Sequence, residues 1–593
     1  MRYILIILFL TGANAYAQND DLFAKDYFEN GEYEKALIEY QKLYEQSPNN
    51  INYITQIVSS YQQLEHYDEA EKFLLNLIEK VNYAAFLVEL GYNYQLKNDL
   101  DIAKDYYAKA LSSLDINVNN VFNVSRSFQN HSLLNEALAA YEKAMILKPD
   151  FNFQLQMAQI YGEQGDIEKM FVSYIEFVQK NEVALNNIKR AINDFISEDA
   201  TSENNLLLKK ILLKKMQQEP NILWNNMLSW LFIQQKGFGK AFIQEKAIFN
   251  RQPESLDRIV ELANIAINEK EEAVAKEILT YLISSAQDLD TLLSVNYNLL
   301  QIEIKESSNE DYEKINSKFQ TLFNQYGTFA QTLDLQIAYA HFLGFYYNQT
   351  SQATTFLENT LKLPLNDLQK AKVKLELGDI YVLREEFNTA LVYYTQIQRS
   401  LKNSTISQEA RFKVAKTSYY KGDFTWAESQ LKILKASTSQ LIANDALDLK
   451  LLISDNKYED SLQVALKLYA KADLMAFQNK NEAAIMLLDT ILKEHKTESI
   501  VPQALFKQAQ LFEKRKEYQK AENNYSYILI NYRDGILVDD ATFALANLYM
   551  NYLSDPEKAK SLYEDIVFNH VDSIYFIEAR KRYRALRGDS INL

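Results

Sequence analysis

The chain has no cysteine. That excludes disulfides, thiolate catalysis, cysteine-ligated zinc and a lipidated amino-terminal cysteine. Absence of thiols also avoids mispairing in an oxidising compartment. Proline and glycine are scarce, at 7 and 13 in 593 residues, which argues against long disordered linkers and for nearly continuous helix. Basic side chains are outnumbered, 63 against 79 acidic, for a formal net charge of −16. A nucleic-acid binder shows a basic footprint, so this balance argues against one and favours solubility with mild repulsion between copies. Long hydrophobic runs are missing as well. Tyr3 to Leu10 is apolar, but it is too short to span a bilayer unless extended, and no later segment has about 18 uninterrupted apolar residues.

That short run reads as part of a targeting segment. Arg2 is the positive start, Tyr3 to Leu10 the apolar stretch, and Ala15-Tyr16-Ala17 a small-x-small cleavage site, so the expected mature chain begins at Gln18. The expectation is an exported chain, free in the periplasm if the source is Gram-negative. A hydrophobic content of 47%, with 40 Tyr and 31 Phe, is ample for an ordered protein. A single core of ordinary size does not extend over 593 residues, but a stack of repeats removes that limit, because each repeat needs only its neighbours.

Repeats are present. Gly31-Glu32-Tyr33-Glu34-Lys35-Ala36 is echoed by His66-Tyr67-Asp68-Glu69-Ala70, then by Asp99 to Ala103, Leu134 to Ala137 and Gly165 to Met170. The steps from Ala36 to Ala70, Ala103, Ala137 and Met170 are 34, 33, 34 and 33. A fixed period in this range means stacked helix pairs. In the third unit Leu87, Leu90, Gly91 and Tyr94 share a helical face, Asn98-Asp99 makes a turn, and Ala103, Tyr107 and Ala110 mark the second helix. Gly91 and Ala103 are small where two helices approach closely, and Tyr94 and Tyr107 fill the groove beside them. Pro48 and Pro149 close the first and fourth units.

These residues resemble the tetratricopeptide repeat family. Its motif is matched by Leu87, Leu90-Gly91, Tyr94, Ala103, Tyr107 and Ala110 in unit three, by Tyr27, Ala36, Tyr40 and Pro48 in unit one, and by Phe128, Ala137, Tyr141, Ala144 and Pro149 in unit four. The pattern weakens in the middle, where Trp224, Phe232, Ala241, Ile248 and Pro253 fit one unit and Leu262, Ala263, Ala275, Leu279 and Leu282 another. Residues 181–220 and 284–330 read as degenerate hairpins, with a loop at Glu306 to Asp311. It returns at Leu377-Gly378, Tyr381, Ala390, Tyr394 and Ile397, then at Trp426-Ala427, Ala483, Tyr518-Ala521-Tyr525 and Ala559-Tyr563. The step of 56 from Ala427 to Ala483 predicts one long or atypical hairpin, and the last steps are 38 and 38. The longer units over 500–590, with Tyr532 and Asn569-His570 after their second helices, resemble periplasmic envelope repeats of the outer-membrane β-barrel assembly lipoprotein and the Tol–Pal-associated coordinator of cell division.

The resemblance implies an all-α tetratricopeptide solenoid of antiparallel helix pairs, with a degenerate middle and a carboxy-terminal capping helix. The expected segments are a leader at 1–17, a repeat block at 18–180, degenerate hairpins at 181–365 and a second block at 366–593.

Catalytic motifs are missing. His66, His131, His341, His495 and His570 are scattered and belong to no metal motif, so they read as surface or turn residues. There is no nucleophile elbow, P-loop or dinucleotide fingerprint. Lys236-Gly237-Phe238-Gly239-Lys240 is a turn between helices with a weak phosphate-site look, and Glu271-Glu272 and Glu385-Glu386 suit helix starts. The expectation is a non-enzyme with no cofactor or metal.

The family's first helices line a groove for extended peptides or partner helices. Mapped here, the groove positions are Asn52, Thr55, Ser59 and Gln62, then Val88, Tyr92 and Gln95, then Asn119, Phe122, Arg126 and Gln129, then Leu155 and Gln159. Amides hydrogen-bond peptide backbone and aromatics anchor. The family's paired Lys and Asn clamp for a terminal carboxylate does not transfer, because Thr55 and Ser59 stand there. The bland alternative is a solvated inner wall. At the chain's end, Ile574, Ile577, Tyr583 and Leu586 are the apolar positions, while Arg580, Lys581, Arg582, Arg584 and Arg587 form a basic patch. It serves either as a polar cap or as a site for an acidic partner or anionic lipid. The leading functional expectation is an envelope scaffold that binds a protein or peptide, with outer-membrane or surface-protein assembly or secretion as the setting. A carbohydrate- or peptidoglycan-binding module, using aromatics such as Tyr92, is the alternative, and a regulator of an envelope enzyme is the third. No nucleic acid is expected as partner, the mature chain is expected to lack a membrane span, and any envelope association is expected to be peripheral.

Overall fold

A computed structural model describes residues 21–81, 83–434, 439–457 and 463–588. The leader segment lies outside them. Among the described residues there is no strand, and no helix is long and apolar enough to cross a membrane. The chain forms two compact units, divided between Lys236 and Gly237.

Unit one holds α1 (21–29), α2 (Tyr33–Gln46), α3 (Ile51–Gln63), α4 (Tyr67–Lys80), α5 (Ala85–Leu96), α6 (Leu100–Ile116), α7 (Val121–Asn130), α8 (Leu134–Leu147), α9 (Gln154–Glu163), α10 (Ile167–Lys180), α11 (Leu185–Asn193), α12 (Glu203–Gln218) and α13 (Ile222–Gln234). Odd-numbered α1 to α9 are the first helices of their pairs, and even-numbered α2 to α10 the second. From α2 to α11 each helix packs on the next. α3 also packs on α5, α5 on α7 and α6 on α8, so the pairs stack in chain order.

Unit two holds α14 (Phe238–Arg251), α15 (Asp257–Asn268), α16 (Glu272–Ser285), α17 (Leu289–Glu306), α18 (Tyr312–Tyr326), α19 (Leu333–Phe345), α20 (Thr350–Thr360), α21 (Asp367–Leu383), α22 (Phe387–Ser400), α23 (Thr405–Tyr420), α24 (Phe424–Leu434), α25 (Gln440–Asn456), α26 (Val464–Phe477), α27 (Asn481–Glu494), α28 (Val501–Lys514), α29 (Tyr518–Asn531), α30 (Val538–Asn551), α31 (Pro556–Asn569) and α32 (Phe576–Arg587). The loop expected at 306–311 contains Ser308, which exchanges hydrogen bonds with Asp311 across a short 3-10 turn.

The turn inside each pair from α1 to α10 has one design. Its first helix ends on a residue in the left-handed region: Gly31 (φ 78°), Glu65 (59°), Asn98 (65°), Ser132 (55°) and Gly165 (75°) in unit one. The next residue donates its N–H to a carbonyl five positions back, as in His66 to Tyr61 (2.9 Å), Asp99 to Tyr94 (2.9 Å) and Asp166 to Tyr161 (2.8 Å). This closes the helix end and aims the chain back for an antiparallel partner. Lys270, Glu385, Gly422, Asn479 and Lys516 repeat the device in unit two. Most of these positions are not glycine, so the device was hidden from a composition reading.

Packing follows the small/large rule of the sequence. A Cβ on Gly91 would sit 2.5 Å from Cε1 of Tyr107, so the tyrosine ring of α6 lies directly on the α5 backbone. Gly378 is overlain in the same way by Tyr394 of α22. Ala103, Ala137, Ala390, Ala427, Ala521 and Ala559 are all fully or almost fully buried.

α10 packs onto α12, and α19 and α20 onto α21, across the expected block boundaries at 180/181 and 365/366. The span from Ala427 to Ala483, expected as one long or atypical hairpin, holds an extra helix, α25, which packs on α24 while α23 and α26 still touch directly. The small residue of α27 is Ala484, fully buried, and not its neighbour Ala483. In the middle stretch the repeat motif gives way to rings. Phe319 lies 5.1 Å from Tyr339, which lies 5.2 Å from Phe356, and this aromatic core replaces the small/large pairing that sets the period.

Candidate interaction surfaces

The first helices α3, α5, α7 and α9, with the short 3-10 turn before α7 that carries Asn119, place the mapped groove residues at the repeat spacing. Asn52, Asn119, Phe122, Arg126 and Gln159 are exposed, and Thr55, Ser59, Tyr92, Gln95, Gln129 and Leu155 are half-buried. Val88 is fully buried and Gln62 is 6% exposed, so neither lines an open surface. The reason for Val88 is that α5 is sandwiched: Ala85, Phe86, Leu90 and Gly91, and even Glu89 and Asn93, are buried with it. A helix apolar around most of its circumference hides which face is outward.

Phe122 is 56% exposed and starts an aromatic cluster, with Phe153 at 5.6 Å and Phe151 at 5.9 Å. Phe153 in turn lies 4.9 Å from Tyr141, so the cluster is rooted in the α8 packing. Arg126, one helical turn after Phe122, makes no hydrogen bond or ion pair with another described residue. Tyr92 is not a free platform. Its ring stacks on His131 at 3.8 Å, and His131 Nε2 lies 2.8 Å from the buried carboxylate of Glu89, which also accepts a 2.6 Å bond from Ser127. His131, in the turn after α7, is thus part of the wall between α5 and α7.

Glu89 belongs to a row the sequence reading missed. Gln56, Glu89, Asn123 and Gln156 recur on successive first helices at steps of 33, 34 and 33. The side-chain oxygens of Gln56, Asn123 and Gln156 are buried with no hydrogen-bond partner among the described residues. The shared step was available as a signal, but polar residues at a buried register are invisible without the packing.

In unit two the equivalent helix faces are tied to each other. Tyr394 donates to Asp379 (2.6 Å), which also pairs with Lys413 (2.7 Å). Asp473 on α26 receives Lys416 at 2.6 Å and Lys507 at 2.7 Å. Burial pushes the Asp473 carboxyl up, but attraction to the two lysines outweighs it and holds the group well below the usual carboxylate range. For Lys413, burial favours the neutral form, and Asp379 more than compensates, so its pKa is raised. Gln478 donates to the Leu383 carbonyl (3.0 Å), Asn479 to the Phe345 carbonyl (3.4 Å), and the Phe345 and Phe477 rings meet edge to face at 5.3 Å. The ends of α19, α21 and α26 are clasped together. None of this was visible in the sequence, since the partners are up to 134 residues apart.

At α32 the expected apolar set is half right. Tyr583 is buried and Leu586 partly so, but Ile574 and Ile577 are 85% and 81% exposed; Ala579 takes the packed position. Helix register decides this, because Ala579 and Tyr583, four apart, face α31. Arg582 also leaves the basic patch: it bonds Glu578 (2.8 Å) and Asn547 (2.9 Å) and turns toward the stack. Arg580 and Lys581 are exposed, Arg584 is half-buried, and Arg587 lies over the Tyr583 ring at 5.6 Å. Among the described residues, no group of three or more His, Asp or Glu side chains gathers as a metal site.

No family model matches the chain, and no curated protein matches it. Among solved structures it is similar to a chain of the Naa15/Naa10 assembly bound to HypK-THB, over 97% of this chain and 95% of that one, at 11% identity and a TM-score of 0.27. It is also similar to a chain of the APC/C hetero-tetramer Cut9-Hcn1, over 96% of each, at 13% identity and a TM-score of 0.24. The architecture rests on the packing of the chain's own helices, and that packing makes it an all-α repeat protein of tetratricopeptide-like helix pairs.

Proposed function

We propose that this chain is an exported, non-enzymatic scaffold of the bacterial cell envelope that holds a protein or peptide partner along the first-helix wall of unit one. The observation that carries the reading is the wall itself: exposed Asn52, Asn119 and Gln159 interleaved with Phe122 and Arg126 at the repeat spacing. Such a surface offers amides to a peptide backbone, one aromatic anchor and one cation. The titratable groups of unit two support a structural and not a catalytic role, because Asp379, Asp473, Lys413, Lys416 and Lys507 are occupied with each other. The export reading rests on Arg2, Tyr3 to Leu10 and Ala15-Tyr16-Ala17, and assembly or secretion of outer-membrane or surface proteins is the setting the resemblance suggests. The carbohydrate reading is weaker, since one face of the Tyr92 ring is covered by His131.

Crosslinking in intact envelopes followed by mass spectrometry tests the proposal. A protein partner lost with Phe122→Ala and with Arg126→Glu supports it. Recovery of the chain only from the cytoplasmic fraction, or partners unchanged by both variants, refutes it. Sugar binding by the purified chain without any protein partner would favour the alternative.

A further inference from the structure

The first-helix wall of unit one is almost without charge. Between them α3, α5, α7 and α9 carry Glu89, Arg126 and Glu163, and no other Asp, Glu, Lys, Arg or His. Glu89 is buried and occupied by Ser127 and His131. Glu163 is the last residue of α9. Arg126 is exposed, has no hydrogen-bond or ion-pair partner among the described residues, and is the only arginine between residues 21 and 180. Lysines on the second helices are paired instead: Lys42 with Glu39 (2.9 Å), Lys109 with Asp105 (2.6 Å), Lys143 with Asp115 (2.7 Å) and Lys169 with Asp166 (2.8 Å). Beside Arg126 stands the aromatic cluster. Phe122 is one helical turn before it, and Phe151 next to Phe122 has the Lys148 ammonium 4.3 Å from its ring centre. Lys148 is exposed and has no carboxylate partner among the described residues. A chain of net charge −16 thus keeps two unneutralised cations around one exposed ring.

We infer that the partner segment seated on this wall is extended and presents a bulky apolar side chain to Phe122 and, two residues away, an internal Asp or Glu side chain to Arg126. The inference rests on the partner-binding role proposed above and adds the chemistry of what is bound. Charge complementarity selects the acid: Arg126 offers a fork of donors that matches a carboxylate and that nothing in the described chain takes up. A phosphoryl group is the poorer fit, because phosphopeptide sites gather several arginines and Arg126 stands alone. Shape selects the extended chain. A helix laid on a groove needs apolar anchors at i, i+4 and i+7, and among the exposed wall residues Phe122 alone is apolar. Four helical residues rise by roughly 6 Å from Phe122 to Arg126. In an extended chain, side chains two residues apart share one side and are separated by roughly 6.6 Å, so the two spacings agree. The acid is internal to the segment, because the wall continues past Arg126 on both sides, with Gln95 on α5 and Gln159 on α9 placed to meet backbone groups further along.

The test uses the full chain as bait for a phage-displayed library of random peptides of about twelve residues, roughly 40 Å when extended, fused at their carboxyl ends so that no free terminus is offered. On the wild type, Asp or Glu is expected to be enriched two positions from a Leu, Ile, Phe, Trp or Tyr. On Arg126→Glu, Lys or Arg is expected there instead. A selected peptide, acetylated and amidated, is then titrated by fluorescence anisotropy at physiological salt. Replacing its acid by the amide is expected to weaken binding to the wild type about three- to tenfold and to leave binding to Arg126→Gln unchanged. Arg126→Lys is expected to keep part of the preference. Phe122 and Arg126 are both exposed, and circular dichroism of each variant checks that its helices are kept. No enrichment of acid beside the apolar residue, the same enrichment on Arg126→Glu, equal losses in wild type and Arg126→Gln, or apolar residues recurring at i, i+4 and i+7 would overturn the inference. Peptides that lose affinity with Phe122→Ala but show no acid preference overturn it while leaving the partner-binding reading of the wall intact. If no selected peptide loses affinity with Phe122→Ala, both fail.

Discussion

Replacing Gly91 by alanine tests whether tyrosine-on-glycine packing defines the repeat. A Cβ there would lie 2.5 Å and 2.6 Å from two Tyr107 ring carbons and 3.1 Å from the Ala103 carbonyl oxygen. Carbon atoms in contact sit at about 3.5–4.0 Å, so the ring must move by roughly 1 Å. It is held on two sides, by a 3.0 Å bond from its hydroxyl to Gln95 and by Phe128 at 5.5 Å, edge to face. Overpacking of this kind costs about 1–3 kcal/mol, against a helix-propensity gain of about 1 kcal/mol for glycine to alanine. The expected net is a loss of about 1 kcal/mol, within a range of about 0–2, which would speed amide exchange in α5 and α6 by roughly 5-fold. Gly239 is the control. It is helical, and nothing lies within 4 Å of its Cβ position, so Gly239→Ala is expected to stabilise α14 by about 0.5 kcal/mol. Hydrogen exchange by mass spectrometry reads both helices separately, which matters because a repeat stack need not unfold as one unit. Slower or unchanged exchange in α5 and α6 of Gly91→Ala would refute the reasoning.

Other perturbations follow from the turns and from the buried charges. Lys516 holds φ 62° at the end of α28, so Lys516→Gly is expected to raise stability by about 0.5–1 kcal/mol, whereas Gly165→Ala, from φ 75°, should lower it by about 1 kcal/mol in denaturant titrations. Asp473→Asn leaves Lys416 and Lys507 without their shared carboxylate and is expected to cost about 2–3 kcal/mol at pH 7, below the usual 3–5 because both lysines are partly exposed. The folded-state pKa of Asp473 is depressed, so its contribution is fully present above the unfolded value of about 3.9 and is lost as pH falls below it. The gap between wild type and Asp473→Asn should therefore narrow between about pH 4 and pH 2, and a constant gap in melts across that range would refute the pairing. Phe477→Ala is expected to loosen the clasp by about 2–4 kcal/mol, seen as faster exchange at the ends of both α19 and α26 and not at α26 alone.

The sequence alone determined the repeat. The regular step of 33 or 34, the Gly91/Tyr107 and Gly378/Tyr394 pairs and the buried alanines are local features, and helix pairs joined by short turns need only local information to form. It also located the exposed Phe122 and Arg126, because a residue on a strongly amphipathic helix such as α7 shows its outward side in the pattern. It failed where a helix is covered on several sides, so that Val88 carried no sign of its burial, and where one residue of register turns a side chain about 100° around the helix, as with Ala484 and Ile577. Only the tertiary structure decided how α25 enters the stack, which charges of unit two are spent on one another, and that Phe345 meets Phe477. Those contacts join residues far apart in the chain, and their energy depends on where successive helix pairs bring the side chains, a quantity no single repeat encodes.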